Sequence, residues 1–197
     1  GVGGLPHGEI AAKLACETSI WGYKHIRQHP YYWTDKKLFM KRIFRSTNLA
    51  VWQKRREKGF EAGLATTLLV LMVGANNYWI GHAGNSSVWL YRKGSVQKLT
   101  RDDTDTMGVL TRAVGFARLG LFPQFVSGVF GANDILLLTT DGAGDYLTDS
   151  DMKKYFQACG DTAKTASAAV TGLLACAFEN GSDENMSAVM VKRITNQ

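Results

Sequence analysis

Asp134-Ile135-Leu136-Leu137-Leu138-Thr139-Thr140-Asp141-Gly142-Ala143-Gly144-Asp145 is the stretch from which the rest of the chain is read. Its consecutive apolar residues, Ile135 to Leu138, predict a short strand covered on both faces. The run is too short for a typical helix, and turn residues follow it. The strand leads into Thr140-Asp141-Gly142, where the chain must turn, and Gly142 and Gly144 leave the backbone free to bend. Taken alone, this is compatible with an ordinary Asp-Gly turn. It equally sets the Asp141 carboxylate at the rim of a core, with Asp145 close behind in the chain.

The chain has 197 residues, enough for one domain with a substantial core, and a single domain over residues 1–197 is expected. Hydrophobic residues make up 45% and charged residues 20%, as in globular proteins. The longest apolar run, Leu68 to Val73, has strand length, so no membrane-spanning segment is expected. The net charge of +6 permits attraction to acidic or phosphorylated partners without specifying one. Cys16, Cys159 and Cys176 form no C-x-x-C pair and read as buried thiols of a reducing, cytoplasmic compartment.

Gly1 to Gly8 is a loop by composition. From Glu9 a helix is expected, with Ile10, Ala11, Leu14, Ala15, Thr18, Trp21 and Gly22 on one face and Pro30 beyond its end. Thr34 or Asp35 can cap a second helix, whose inward stripe is Phe39, Ile43, Thr47, Ala50 and Val51. It closes at Gly59 after the basic run Lys54 to Lys58, which reads as a solvated face because no aromatic platform interleaves it. Strands are expected over 65–73, 78–84, 88–91 and 95–99, read as one antiparallel meander, and again over 124–130. Thr148 to Asp151 caps a short helix, and Asp161-Thr162 caps a long Ala-rich one. A last strand runs from Met186 to Val191. Two helices, a run of strands, two helices and a strand indicate an α+β architecture with a largely antiparallel sheet.

Acids gather at strand ends. Asp141 and Asp145 follow one strand, while Asp183 and Glu184 precede another. If those strands are antiparallel neighbours, the carboxylates converge at one edge and repel unless a cation sits among them. Oxygen ligands of this kind select Mg²⁺ or Mn²⁺. Such an ion lowers the pKa of bound water and assists phosphoryl displacement. The four histidines form no H-E-x-x-H arrangement, and neither G-x-S-x-G nor a P-loop is present.

The order of segments resembles the metal-dependent (PPM, type 2C) serine/threonine protein phosphatases in a compact bacterial form. Gly1-Val2-Gly3-Gly4 with Gly8-Glu9-Ile10-Ala11-Ala12 is similar to the family's D-G-x-G-G…G-E-x-A-S, and Gly63-Leu64-Ala65-Thr66-Thr67-Leu68 to its G-x-G-T-T-L. Gly84-Asn85-Ser86-Ser87 stands where the family has G-D-S-R. Leu99-Thr100-Arg101-Asp102-Asp103 matches L-T-x-D-H, and Leu110-Thr111-Arg112-Ala113-Val114-Gly115 matches L-T-R-A-L-G. Thr140-Asp141-Gly142 matches S-D-G, and Glu184-Asn185-Met186-Ser187 matches D-N-I-T. Each motif is short; their shared order along the chain is the specific signal.

The resemblance implies an antiparallel β-sandwich flanked by helices, in four α-β-β-α layers, with two Mn²⁺ or Mg²⁺ ions at one end. It implies metal ligation by the Gly1 carbonyl, Asp141 and Glu184, with Asp183 as an alternative ligand if the register slips and Asp145 at a weaker third metal. The bridging aspartate is expected just before Gly1, so the family's first strands and its phosphate-binding arginine lie outside this sequence. The implied activity is hydrolysis of phosphoserine or phosphothreonine by a metal-activated water. The expected partner is a phosphorylated protein, not nucleic acid, and the chain is expected to be monomeric. Glu184 replaces the family's Asp, Asn85 and Ser87 replace an acid and an arginine, and the segment after Asp103 is short for the family's flap. These departures motivate the alternative of an inactive pseudophosphatase that serves as a binding module.

Overall fold

The computed structural model describes residues 1–3, 5–60 and 63–194. Gly4, part of the first glycine motif, lies outside the described residues. In chain order the elements are α1 (Gly8–Ile26), α2 (Pro30–Thr34), α3 (Lys36–Arg55), β1 (Leu68–Val73), β2 (Asn77–Ala83), β3 (Ser87–Arg92), β4 (Ser95–Lys98), β5 (Gln124–Val129), β6 (Ile135–Thr139), α4 (Asp141–Gly144), α5 (Asp149–Ala158), α6 (Ala163–Glu179) and β7 (Ala188–Lys192). The strands form two antiparallel sheets, β1-β2-β5 and β4-β3-β6-β7. The chain makes two compact units. The first comprises Gly1–Met72, Trp79–Gly84 and Asp103–Ser127, and the second the remainder.

In the first unit, α1 and α3 pack on each other through a seam of small residues. Ala11, Ala15, Ser19 and Gly22 are the buried positions of α1. A Cβ on Gly22 would already touch Ile43 and Ser46 of α3 at 3.7 Å. Ser19 and Thr47 satisfy each other's hydroxyls across the seam at 3.1 Å. So narrow a seam has no room for an indole, which is why Trp21, expected inward, is 56% exposed and instead stacks on His25. Cys16, expected to be buried, is exposed because it lies off the Ala11, Ala15, Ser19 and Gly22 face. The helix also stops short of Pro30, which opens the separate turn α2. Asp35 caps α3 by accepting from the Leu38 N–H at 3.0 Å. The inward face of α3 adds Met40, Phe44 and Asn48 to the expected stripe. Gly81 of β2 lies under α3: a Cβ there would stand 2.6 Å from the Phe44 ring.

The second unit is built on β6. Its neighbours β3 and β7 both run antiparallel to it, with Leu137 opposite Trp89 on one side and Met190 on the other. Ile135, Leu136 and Leu137 are essentially solvent-free, as the apolar run predicted. Ile135 and Leu137 join Met152, Phe156, Leu173 and Ala177 from α5 and α6 in one core. Both helices start with reciprocal caps, Thr148 with Asp151 and Thr162 with Thr165. Gly172 of α6 lies against the Tyr155 ring of α5, which a Cβ would displace. At the start of β6, buried Asp134 accepts from Arg92 Nε at 3.0 Å and Nη2 at 2.6 Å, and from the Gly131 N–H at 2.6 Å.

The expected single meander is instead two hairpins in different sheets, β1–β2 in one and β3–β4 in the other. The break falls at Gly84, where φ is +124°. The Gly84 N–H is held by the buried Asp103 carboxylate at 3.0 Å, so β2 cannot run straight on. Periodicity reports which residues face inward, not which hairpins share a sheet.

Candidate active site

The site residues of the second unit are brought together by one strand pairing. Thr139 of β6 stands opposite Ala188 of β7, so the residues after β6 lie beside those before β7. Two hydrogen bonds extend the pairing. The Thr140 N–H donates to the Ser187 carbonyl, and the Ser187 N–H donates to Thr140 Oγ1, both at 3.0 Å. The chain then winds into the single turn α4, which starts at Asp141. The Ser182 hydroxyl, itself buried, donates to the Gly142 carbonyl at 2.6 Å and ties the 182–185 segment to α4.

This geometry sets Glu184 against the residue after Asp141. A Cβ on Gly142 would lie 2.8 Å from Glu184 Cβ and 3.3 Å from its Oε2. Glycine at 142 is therefore required by close approach. Asp141 is half-buried, and both its oxygens are engaged. Oδ1 accepts from the Gly142 N–H at 3.0 Å and Oδ2 from Asn85 Nδ2 at 2.8 Å. Asp145 follows one turn on, its N–H on the Asp141 carbonyl at 3.0 Å.

The electrostatics follow from this clustering. The negative charge of Asp141 is the largest influence on Glu184 and raises its pKa; desolvation, Asp183 and Asp145 add to it. The Asp145 pKa is raised first by desolvation of the carboxyl, although the residue is exposed overall. Lys98 counters that shift, and Asp102 and Asp141 reinforce it. Lys98 pairs with Asp102 at 2.9 Å and, among the described residues, is the cation that acts on Asp145. Asp183 is exposed beside Glu184. Among the described residues, no three His, Cys, Asp or Glu side chains group closely enough to hold a metal ion by themselves.

Gly1 belongs to the first unit. The Gly8 backbone occupies the space a Cβ on Gly1 would need, and the Val2 N–H reaches the Ala65 carbonyl at 3.1 Å. The family-like segment that ends at Asp103 and the one over 110–115 meet at the Asp103 side chain. Its carboxylate accepts from Gly84 and Gln124 and pairs with Arg112 at 3.1 Å. Between them, residues 105–109 close a tight turn, with the Asp105 N–H on the Val109 carbonyl at 2.9 Å.

Asn85, which stands in place of an acid in the family pattern, also donates to Asp141, a role its sequence position did not announce. Ser182 and Lys98 act only through contacts across the fold, which no local pattern announces.

The family model for protein phosphatase 2C matches residues 1–178. The chain belongs to the protein phosphatase 2C family. A segment of 78 residues is 26% identical to the probable protein phosphatase 2C 44 of Oryza sativa subsp. japonica, and covers 40% of this chain but 24% of that relative. The chain thus spans about a quarter of the curated relative it matches. Among solved structures it is similar to PppA, described as a key regulatory component of the T6SS in Pseudomonas aeruginosa (22% identity, 98% of this chain, 82% of that chain, TM-score 0.77). It is similar to the catalytic domain of the phosphatase PstP in complex with two manganese ions (22%, 99%, 85%, 0.76). A third is the serine/threonine phosphatase Stp1 from Staphylococcus aureus (18%, 99%, 81%, 0.80). These likenesses show the fold. Among the described residues, no helix is long and apolar enough to cross a membrane.

Proposed function

We propose that both units together form one metal-dependent phosphatase domain that hydrolyses phosphoserine or phosphothreonine in proteins. The observation that carries this reading is the convergence of Asp141 and Glu184 where antiparallel β6 and β7 end and begin. The raised pKa of Glu184 reports an unbalanced negative charge that a cation would relieve. The donor set is all oxygen, which suits Mn²⁺ or Mg²⁺, and the manganese complex of PstP supports two such ions. Asp141 and Glu184 would hold the metal, with the Gly1 carbonyl and an acid expected before it; Asp183 is the alternative ligand, and Asp145 belongs to a weaker third site. Bound there, a divalent cation supplies Lewis acidity toward water and the phosphoryl group.

The chain's own residues serve that chemistry by position. Asn85 and the Gly142 N–H fix the plane of the Asp141 carboxylate. Ser182 ties the 182–185 segment to Gly142 and so brings Glu184 beside the turn that carries Asp141. Lys98 partly offsets the negative charge that Asp102 and Asp141 place around Asp145.

A second reading is a pseudophosphatase that binds a phosphorylated partner without turnover. It is favoured by Asn85, whose neutral amide occupies one Asp141 oxygen. Mn²⁺-dependent hydrolysis of a phosphopeptide by the full chain separates the two, with Asp141→Asn as control. Turnover abolished by chelator and by the substitution supports the enzyme. Calorimetric Mn²⁺ binding without turnover supports the binding module.

A further inference from the structure

The chain's positive charge is concentrated in α3 and the turn that follows it. Residues 36–60 carry nine Lys and Arg against the single acid Glu57, a net +8, while the rest of the chain is net −2. Within the first unit, the exposed side of α3 and the loop after Gly115 enclose a cavity of about 480 Å³. Lys41, Arg42 and Arg45 of α3 and Arg118 of the loop line it; among the described residues, no carboxylate does. Its loop wall is apolar, with Leu119, Leu121 and Phe122, and Leu38 of α3 adds to that lining. Leu119 and Phe122 are each 69% exposed.

The cavity is built rather than incidental. Asn48, 3% exposed, pins the loop to α3: Oδ1 accepts from the Gly115 N–H at 2.9 Å, and Nδ2 donates to the Ala117 carbonyl at 2.8 Å. Arg42 is oriented by the Tyr32 hydroxyl at 2.6 Å, and Arg118 lies over the Trp52 ring. Among the described residues, Lys41 and Arg45 enter no ion pair.

We propose that this cavity is a docking site for an acidic segment of a partner protein, with carboxylates on the α3 cations and a bulky aliphatic side chain against Leu119 and Phe122. The volume falls in the range of preformed ligand pockets, about 300–1,000 Å³. Charge complementarity selects an anion, and the apolar wall selects one that carries hydrocarbon between its charges. A phosphate backbone offers no such hydrocarbon. A membrane surface favours a face that can lie flat on it, whereas this site is concave. The inference concerns binding only and holds whether or not the acids at β6 and β7 support turnover.

The test is fluorescence anisotropy of a labelled peptide of repeating Glu-Glu-Leu with the full chain. Binding is expected for the native chain and for Asp141→Asn, which separates this site from the phosphatase reading. The paired substitution K41E with R45E is expected to weaken binding by about tenfold. Leu119→Ser, at an exposed position, is expected to weaken it about threefold with every charge retained. Thermal melts establish that each variant is folded. No binding by the native chain, or equal binding after charge reversal in a folded variant, overturns the proposal. So does equal affinity for repeating Glu-Glu-Ser or Lys-Lys-Leu, or tighter binding of poly-uridine RNA or phosphatidylserine vesicles through the same residues.

Discussion

Asn85 donates from Nδ2 to Asp141 Oδ2 across 2.8 Å, between the segment that leads into β3 and the turn that follows β6. The bond fixes one oxygen of a half-buried acid and leaves its charge intact. Partners of this kind behind a metal-binding carboxylate contribute to affinity by fixing its orientation. Asn85→Ala is therefore expected to lower Mn²⁺ affinity by about tenfold, read by isothermal titration calorimetry. An unchanged affinity would make the amide a bystander.

Gly142 makes the counterpart prediction. A methyl group there would stand 2.8 Å from Glu184 Cβ and 3.2 Å from the Asn185 carbonyl. Gly142→Ala must push the 184–185 segment away while β6 and β7 stay paired. Metal binding should weaken more than stability, and Mn²⁺ titration beside thermal melts tests this. A variant that binds Mn²⁺ like the native chain would detach Glu184 from the site.

The raised pKa values of Glu184 and Asp145 predict the pH response of the metal-free chain. A carboxyl whose folded pKa lies above its unfolded value favours folding most when protonated. Its contribution is fully present below the ordinary carboxylate pKa and is lost as pH rises through the raised value. The metal-free chain should thus lose a small part of its stability across that window. Because Asp141 is the leading cause for Glu184, Asp141→Asn should return Glu184 toward its ordinary value. Carboxyl NMR titration reads both. A Glu184 that titrates identically in the variant would contradict the assigned proximity.

The pair at the other end of β6 is structural. Asp134 is 3% exposed and accepts two donors from Arg92 as well as the Gly131 N–H. Removing its carboxylate leaves Arg92 Nε and the Gly131 N–H without that acceptor, while Arg92 Nη2 keeps only the Val129 carbonyl. Asp134→Ala should cost about 3 kcal/mol, measured by denaturant unfolding. It should leave Mn²⁺ affinity unchanged if the two ends of the strand act independently.

Much of the fold could be read before any coordinates. The run Ile135 to Leu138, the caps at Asp35, Thr148 and Thr162, and the stripe along α3 are short-range patterns, and each produced the element it predicted. Errors came where size or connectivity intervened. Trp21 had helical spacing but not the volume for a seam of Ala, Ser and Gly. The meander had correct strands but divided between two sheets at Gly84.

The sequence by itself determined where strands and helices form, which family pattern they follow, and that acids stand at strand ends. All of this is written in neighbouring residues and their periodicity. Only the tertiary structure decided that β6 and β7 pair, so that Glu184 packs against Gly142 and its charge meets that of Asp141. It alone made Asn85 a donor to Asp141 and set Lys41, Arg42 and Arg45 of α3 with Arg118 around a cavity. The physical reason is that proximity between chemically reactive groups distant in the chain is set by strand pairing and helix packing, which depend on the whole core rather than on any one segment.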